Sequence, residues 1–440
     1  MTSLDRNQAP KTRAMATNRT ALVASLDIGT SKIACMIARL KPCAPNEALR
    51  GRSHAVELIG YSQIQSRGVK SGAVVDLGEC EQAVRQAVAL AEKMAKVRVE
   101  SVLLSVSAGR LQGQLIEACA DIKGGAVTAA DVSRVTSAGM HHATPPGRTV
   151  LHALPVGYQL DGVKGIRDPR GMVARQFGVD MNVVTADATV AKNLMLVVER
   201  CHLNVEAMAA SPYVAGLAVL TDDEADLGAA VVEMGAGTTT IATYSGGRFV
   251  HASGFAVGGQ HITMDLARGL GACIADAERI KTLYGTVLTG GSDARELLSV
   301  PSAGDNDRDT PQVVSRATIA NIVRQRAEEI FEMVRDRLAD SPFAAEPRAR
   351  VVLSGGASQL TGLVDLATQI LGRPVRIGRP LGFGRLPSEA KSASFAVPAG
   401  LLVYPQFAHL EHVEPRHTRQ LKTGTDGYFG KVGRWLREGF

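Results

Sequence analysis

The chain has 440 residues, of which 45% are hydrophobic, 21% charged and 4% aromatic, so it can form more than one core and has the charge content of an ordinary globular protein. Its net charge of +6 is small for this length, and without a run of stacking aromatic residues or a nucleic-acid-binding motif it does not indicate binding to DNA or RNA. The six cysteines are scattered and form no CxxC pair, which predicts neither a zinc site nor a disulfide framework.

The first residues of the chain are polar, and Asp27 interrupts the apolar stretch that follows them. We therefore expect residues 1–20 to be disordered, and we do not identify a signal peptide. No apolar segment is long enough to cross a bilayer. Any membrane contact must then be peripheral.

Helices are predicted where apolar residues recur at helical spacing, at 80–96, 187–201 and 278–284. Between the first two, the stretch 143–171 is rich in Pro and Gly and is predicted to hold turns and short strands. Ser315 is the predicted N-cap of a long helix that runs to residue 340.

A pattern of strand, tight turn and strand occurs twice, at 21–40 and at 227–249. The turns read DIGTSK at 27–32 and EMGAGTT at 233–239, so each combines an acid, glycine and hydroxyl residues. Glycine lets backbone N–H groups approach phosphate oxygens, and the acid can hold a hydrated Mg²⁺. One such turn alone would indicate only a β-hairpin, but the repeat favours two turns that clamp a triphosphate across a cleft.

Two later segments could complete a nucleotide site. The buried strand predicted at 350–354 ends at Gly355 and Gly356, where a flat ring can lie against the backbone. Glu278 and Lys281 share one helix face and could contact ribose and base, although such a pair is usually an unremarkable surface ion pair. The sequence contains no GxxxxGK[ST] motif, which excludes a P-loop ATPase.

The order of the two turns, the Glu-x-x-Lys helix and the Ser-Gly-Gly strand resembles the superfamily of actin, sugar kinases and heat-shock chaperone ATPases. Within it, the chain resembles the FtsA family of cell-division proteins. Residues 27–32 resemble that family's first phosphate motif, 165–172 a segment of its extra subdomain, and 191–201 its connecting helix. The similarity runs from about residue 21 to residue 405 and includes the C-terminal tail.

This resemblance implies an α/β protein with the actin-like (ribonuclease H-like) two-lobed ATPase fold, an FtsA-type inserted subdomain and a C-terminal amphipathic helix. The implied borders are 1–20 for a disordered N-terminus, 21–82 for the first part of lobe one, 83–180 for the inserted SHS2-like subdomain, 181–211 for lobe one continued, 212–260 for lobe two, 261–340 for a second subdomain, 341–384 for lobe two continued, 385–408 for the return to lobe one, 409–426 for a flexible linker and 427–440 for a membrane-targeting helix.

The resemblance also implies ATP and Mg²⁺ as cofactors. The residues expected to bind the nucleotide are Asp27, Gly29, Thr30, Ser31, Lys32, Glu233, Gly235, Gly237, Thr238, Thr239, Gly258, Gly259, Glu278, Lys281, Gly355, Gly356 and Ser358. Asp27 and Glu233 would hold Mg²⁺ through water, and Asp187 and Glu233 are the candidate catalytic residues. Because Glu233 and Ala236 stand where the family usually has Asp and Gly, and Ala restricts the backbone, we expect ATP binding with at most slow hydrolysis.

The last segment, 427–440, is amphipathic. On a helical wheel its large apolar residues fall within an arc of roughly 140°, with the basic residues opposite. The candidate membrane residues are Tyr428, Phe429, Lys431, Val432, Arg434, Trp435, Leu436, Arg437 and Phe440. This composition is typical of a helix in the interface of an anionic membrane, although a helix that docks on its own protein or in a partner's groove has a similar pattern.

The resemblance implies further partners: the C-terminal peptide of FtsZ, other copies of the chain in a head-to-tail polymer, and other division proteins, all at the cytoplasmic face of the inner membrane at the division site. Arg316, Arg324 and Arg326 on the long helix are candidates for binding the peptide, although such arginines more often form a solvated face. Two alternatives stay open. One is a sugar or acid kinase of this superfamily, which would need an acidic base; the other is a pilus-assembly protein of the same fold, which should lack the Trp435 helix.

Overall fold

The structure is a computed structural model that describes residues 8–12, 15–43, 49, 51–122, 125–288, 290, 296–301, 312–384 and 386–412. Its strands are β1 (Ala21–Ile28), β2 (Lys32–Pro42), β3 (His54–Gln65), β4 (Val69–Lys70), β5 (Ala73–Val74), β6 (Ser101–Val106), β7 (Gln112–Asp121), β8 (Arg148–Leu160), β9 (Val163–Ile166), β10 (Gln176–Asp187), β11 (Asn204–Ala210), β12 (Ala229–Met234), β13 (Thr239–Ser245), β14 (Arg248–Phe255), β15 (Leu297–Val300), β16 (Gln312–Ser315), β17 (Arg350–Ser354) and β18 (Val375–Ile377). Its α-helices are α1 (Leu77–Ala95), α2 (Ala129–His142), α3 (Ala188–Arg200), α4 (Ser211–Val219), α5 (Asp222–Leu227), α6 (Gly259–Leu270), α7 (Ile274–Tyr284), α8 (Arg316–Ala339), α9 (Leu363–Leu371) and α10 (Ala396–Val403).

Two sheets of the same design form the two lobes. In lobe one the order is β3-β2-β1-β6-β11, with β1, β2 and β3 antiparallel and β6 and β11 added in parallel. In lobe two the order β14-β13-β12-β17-β18 repeats that arrangement strand for strand. The central strands are apolar and largely buried, as expected where helices cover both faces of a sheet. The two-lobed actin-like fold predicted from the sequence is confirmed.

The inserted subdomain consists of β7, β8, β9 and β10 with α2 packed on them. It continues the sheet of lobe two through one pair, Ser253 and Gln112, and has its own core around Phe177 and Met181. Its start differs from the predicted border at residue 83, because α1 packs on β2 and β3, and β6 pairs with β1 in lobe one. The stretch 143–171 also differs from its prediction, since β8 is 13 residues long.

The N-terminal segment differs from the predicted disorder at residues 8–12. The Ala9 N–H donates to the Val150 carbonyl at 2.9 Å, and the Met208 N–H donates to the Pro10 carbonyl at 3.0 Å. The Lys11 side chain lies buried in an ion pair with Glu411. A polar composition therefore conceals a docked segment here.

The second subdomain lies on lobe two and is built around the long helix α8. Ser315 caps this helix as predicted and accepts a hydrogen bond from the Thr318 N–H at 3.2 Å. The apolar face of α8, including Ile319, Ile330 and Phe331, is buried in a core shared with α6, α7 and α9. Residues 413–440 lie outside the described part of the chain, and with them most of the predicted linker and all of the membrane helix. None of the described helices combines the length and apolar character needed to span a bilayer.

Two apolar helices, α4 and α10, pack together between the lobes. Helix α4 contacts β12 and β13 of lobe two, and α10 contacts β1, β2 and β6 of lobe one, so their contact joins the two sheets. Every residue of α10 is buried. The helices approach closely because residue 400 is glycine: a Cβ atom there would overlap the carbonyl oxygen of Val214.

Replacing this glycine should loosen the junction between the lobes. We expect Gly400→Ala to lower the free energy of unfolding by about 1–3 kcal/mol, since a tightly packed site must shift to admit a methyl group. The measurement is the midpoint of urea unfolding. The matched control is Gly78→Ala in α1, where the new Cβ would lie 3.5 Å from its nearest neighbour; it should be neutral or stabilising by up to about 1 kcal/mol. Equal midpoint shifts for the two variants would contradict the packing argument.

Candidate functional site

The two predicted turns lie opposite each other across a cleft of about 580 Å³ between the lobes. Gly237 of the second turn is so close to lobe one that a Cβ atom there would overlap the Thr30 hydroxyl and lie 2.8 Å from the Ser71 Cα. The predicted residues that line the cleft are Asp27, Gly29, Thr30, Ser31, Lys32, Glu233, Gly235, Gly237, Thr238, Gly259, Glu278, Lys281, Gly355 and Gly356. The structure thus brings most of the predicted binding residues together from both lobes.

The two turns are closed by equivalent hydrogen bonds. The Gly29 N–H donates to the Lys32 carbonyl at 3.0 Å, and the Gly235 N–H donates to the Thr238 carbonyl at 2.9 Å. The first residues of α6 hold the second turn, because the Gly259 N–H donates to the Gly235 carbonyl at 2.9 Å. Helix N-termini leave N–H groups without partners inside the helix, and here they fix the conformation of the turn.

Three ionisable side chains, Asp27, Lys32 and Glu233, line the cleft together; Glu233 is buried, and Asp27 and Lys32 are partly buried. Burial raises the pKa of Asp27, while the Ser105 hydroxyl, which donates to its carboxylate at 2.5 Å, and the charge of Lys32 act to lower it. Burial and the nearby charge of Asp27 raise the pKa of Glu233 to about 8. Burial lowers the pKa of Lys32. Two carboxyl groups therefore share one ammonium group in a region of low polarity. The binding of a cation is favoured there, because it would stabilise the charged form of the carboxylates.

Lys32 also links the cleft to the segment that precedes α10. Its ammonium donates to the Ser394 carbonyl and lies 4.6 Å from the centre of the Phe395 ring. The lysine is thus held in the cleft by contacts within lobe one, with its charge close to both acids.

The far side of the cleft is formed by α7 and the end of β17. The Lys281 ammonium lies 2.7 Å from the Glu278 carboxylate and 2.8 Å from the Thr263 hydroxyl. The predicted pair therefore exists and lines the cleft, with Lys281 largely buried and Glu278 half-exposed. Gly355 has a φ of +86°, and a Cβ atom there would lie 2.8 Å from a Glu233 carboxylate oxygen. Glycine is required where the chain turns away from β17 against the second turn.

Four predicted residues are not among those that line the cleft. Asp187 caps α3 and accepts hydrogen bonds from the Thr189 and Val190 N–H groups at 2.8 and 3.2 Å, so its catalytic role stays a prediction. The others make hydrogen bonds that support the surrounding turns: the Thr239 hydroxyl to the Val257 carbonyl, the Gly258 N–H to the His261 ring, and the Ser358 hydroxyl to the Gly355 carbonyl.

Several lining residues were not predicted. They are Gln63, Ser107, Ser211, Ala236, Thr282, Leu283, Gly285, Ala357, Gln359, Leu360, Thr361, Ala393, Ser394 and Val397. Two of them had a usable signal: Ser107 and Ser211 directly follow the parallel strands β6 and β11. The carboxyl ends of parallel strands lie at one edge of a sheet, where ligands commonly bind.

The three arginines proposed for peptide binding lie on α8 and each pairs with an acid. Arg316 lies 2.8 Å from Glu296, Arg324 lies 2.7 Å from Glu328, and Arg326 lies 2.6 Å from Asp265. An acidic peptide would have to compete with these carboxylates.

Comparison with known proteins identifies the family. The sequence model of cell division protein FtsA matches residues 230–400, and the model of the SHS2 domain inserted in FtsA matches residues 108–185. The cell division protein FtsA of Rhizobium meliloti is 46% identical over 431 residues, which is 98% of each chain. That of Escherichia coli K12 is 30% identical over 426 residues, covering 95% of this chain and 98% of the other. The chain belongs to the FtsA family of cell division proteins.

Membership of the FtsA family assigns the chain a role in cell division and identifies the inserted subdomain. The family's SHS2 range agrees with the structure, in which the insert begins after β6. Solved structures show the fold at lower identity. A chain of the PilM-PilN type IV pilus biogenesis complex aligns with a TM-score of 0.61 at 17% identity, covering 87% of this chain and 98% of that chain. The MreB5 protein of Spiroplasma citri aligns with a TM-score of 0.52 at 12% identity, covering 88% and 97%.

The raised pKa of Glu233 predicts a specific dependence of stability on pH. Between its ordinary value of 4.5 and about 8, the folded chain holds a proton at Glu233 that the unfolded chain has released, so the free energy of unfolding falls as pH rises through this window. We expect Glu233→Gln to abolish this loss and to gain about 2–4 kcal/mol on the wild type between pH 5 and pH 8.5.

The measurement is urea unfolding of both proteins across this range in metal-free buffer. Lys41→Met, which changes an exposed ion pair with Glu57, is the control and should follow the wild-type curve. A constant difference between the Glu233→Gln and wild-type curves would show that Glu233 is ionised throughout.

Proposed function

We propose that this FtsA-family protein binds Mg·ATP in the cleft, forms a head-to-tail polymer and connects FtsZ to the inner membrane. The observation that carries the nucleotide proposal is the contact of Gly237 with Thr30 and Ser71. Because of this contact, each lobe contributes one glycine turn and one acid to the walls of the same cleft. The volume of the cleft, about 580 Å³, lies within the range of roughly 300–1,000 Å³ usual for small-molecule sites.

The residues present fit a metal-bound triphosphate. Asp27 and Glu233 line the cleft together, and burial raises the pKa of both carboxyl groups. Hard oxygen ligands of this kind suit Mg²⁺ held through water. Lys32 and Lys281 line the same cleft and supply positive charge for phosphate oxygens. The small side chains and backbone at Gly355 and Gly356 leave room for the adenosine.

Hydrolysis should be slow at most, since Glu278, the one further carboxylate among the described residues that line the cleft, is held in an ion pair with Lys281. Bound metal would keep Glu233 ionised, because a nearby cation stabilises the charged form of a carboxylate. The nucleotide would then act chiefly by holding the two lobes in one relative orientation, which is the geometry a head-to-tail polymer requires.

A methyl group at the contact between the turns should weaken nucleotide binding. We expect Gly237→Ala to lower the affinity for Mg·ATP by at least about tenfold, because the new Cβ would force the second turn away from Ser71. The measurement is titration calorimetry, with Gly78→Ala as the control that should bind like the wild type. The nucleotide proposal fails if the wild-type protein takes up no adenine nucleotide.

The membrane proposal rests on the sequence of 427–440, which lies outside the described residues. Its apolar residues and its basic residues would lie on opposite faces of a helix, as in helices that bind anionic membrane surfaces. Gly430, Gly433 and Gly439 each disfavour the helix by roughly 1 kcal/mol, so one copy should bind lipid weakly. Many copies on one polymer would bind tightly through avidity, which links nucleotide-dependent assembly to attachment at the cytoplasmic face of the inner membrane.

Removing the tail should abolish lipid binding. We expect the full chain with ATP to pellet with vesicles that contain anionic lipid, and a truncation after Gly424 to remain in the supernatant. Vesicles of neutral lipid are the control and should pellet less of the full chain, because headgroup charge contributes to binding. Equal pelleting of the full and truncated chains would defeat the membrane role of the tail.

The remaining partners belong to the same proposal. The C-terminal peptide of FtsZ would bind the subdomain that contains α8, through Arg316, Arg324 or Arg326, by exchanging their present carboxylate partners for those of the peptide. Other division proteins would bind elsewhere on the chain at the division site. Family membership favours this scaffold over the kinase and pilus-assembly alternatives.

A further inference from the structure

Both ends of the described chain meet at a buried ion pair that does not line the cleft. The Lys11 ammonium contacts the Glu411 carboxylate, and only 5% and 1% of these side chains are exposed. Burial lowers the pKa of Lys11. Burial acts to raise the pKa of Glu411, but the charge of Lys11 and the hydrogen bonds from Lys11 and His152 outweigh it and hold that pKa at about 2. The lysine and the glutamate therefore face each other as a charged pair with almost no access to water.

The third member of this cluster is His152, in the centre of the insert strand β8. Its Nε2 accepts a hydrogen bond from the Ala210 N–H at 2.8 Å, so its Nδ1 carries the proton and donates to the second Glu411 oxygen at 2.8 Å. Burial and the charge of Lys11 lower the pKa of His152 to about 4. The neutral ring thus connects the pair to both the insert and lobe one.

Backbone hydrogen bonds dock both ends on the insert, and the N-terminal segment also on lobe one. Residues 8–12 bridge the insert and lobe one, through Ala9 to Val150 and through Met208 to Pro10. At the other end, the His412 N–H donates to the Ala153 carbonyl at 2.8 Å. The His412 ring also lies within hydrogen-bond distance of Thr136 and Ser137 on α2, at 3.0 and 2.9 Å.

We propose that residues 8–12 occupy a binding groove between the insert and lobe one, and that this segment and residues 411–412 form a clasp in which each end docks only when the other is in place. A buried ion pair seldom stabilises a protein more than apolar side chains would, whereas removing one partner leaves a buried charge uncompensated. The pair therefore makes the docking of the two ends mutually dependent.

The clasp has two consequences for the molecule. It holds the insert against lobe one. This connection is additional to the single strand pair that joins the insert to lobe two. Residues 409–412 were predicted as the start of a flexible linker, but the structure docks Glu411 and His412. The clasp therefore fixes the point at which the chain enters the rest of the predicted linker, from residue 413 onwards. Loss of the N-terminal segment would release that point.

The proposal is tested by hydrogen exchange of the full chain, in Lys11→Met and Glu411→Gln variants and in a deletion of residues 1–12. Lys11→Met and the deletion should raise exchange at residues 411–412 and at β8 by about 100-fold, the factor that corresponds to loss of a buried ion-pair partner. Glu411→Gln should raise exchange at residues 9–12 to a similar extent. Lys41→Met, which breaks an exposed pair 2.8 Å long, should change neither segment.

The double variant Lys11→Met/Glu411→Gln keeps the test decisive if a single variant does not fold. It leaves neither charge unpaired. The increase in exchange at both ends should therefore be well below the sum of the increases in the two single variants. Protection of β12 and β17 reports whether each variant remains folded. Unchanged exchange at residues 411–412 in a folded Lys11→Met protein would overturn the clasp, as would a double variant whose effects are simply additive.

Discussion

The structure depends on the close approach of two glycine turns that enclose buried charge. Asp27 and Lys32 reach the cleft from one sheet and Glu233 from the other, and the contact at Gly237 closes the space between them. Burial limits the hydration of these charges, so their pKa values are shifted away from the ordinary range. The electrostatics of the cleft are consequently a property of the closed arrangement of the lobes, not of either lobe alone.

Small residues make that arrangement possible. Gly400 lets α10 approach α4 at the junction between the lobes, Gly237 lets the turns meet, and Gly355 lets the end of β17 lie against Glu233. Each contact joins backbone to backbone or backbone to a buried polar group, where a larger side chain would force the elements apart. The low aromatic and high glycine content of the sequence is thus related directly to how the two sheets come together.

Sequence patterns predicted those elements whose structure is determined by neighbouring residues, such as turns and the start of a helix. The repeated strand, turn and strand pattern gave the centre of each lobe, and Ser315 gave the start of α8. The border of the insert was predicted too early, because the membership of α1 and β6 in the first sheet is decided by strand pairing between distant segments. Ser107 and Ser211 were missed for a related reason: their place in the cleft follows from the order of parallel strands rather than from their neighbours in sequence.

The N-terminal segment shows the limit of composition as a guide. Residues 8–12 carry few apolar groups, and only the partner Glu411, some 400 positions away, explains why Lys11 is buried. Isolated charges in a polar segment normally indicate exposure to solvent. A pairing across the whole length of the chain leaves no periodic signal by which it could be recognised.

The two buried charge clusters differ in a way that separates structure from ligand binding. In the clasp, one lysine balances one glutamate and the histidine is neutral, so the cluster is complete without any further group. In the cleft, two acids share Lys32, and burial together with the charge of Asp27 raises the pKa of Glu233. The clusters adjoin at the start of α4: Ser211 lines the cleft, and the Tyr213 ring packs 4.7 Å from the His152 ring. The start of α4 is therefore shared by the lining of the cleft and by the packing around the clasp.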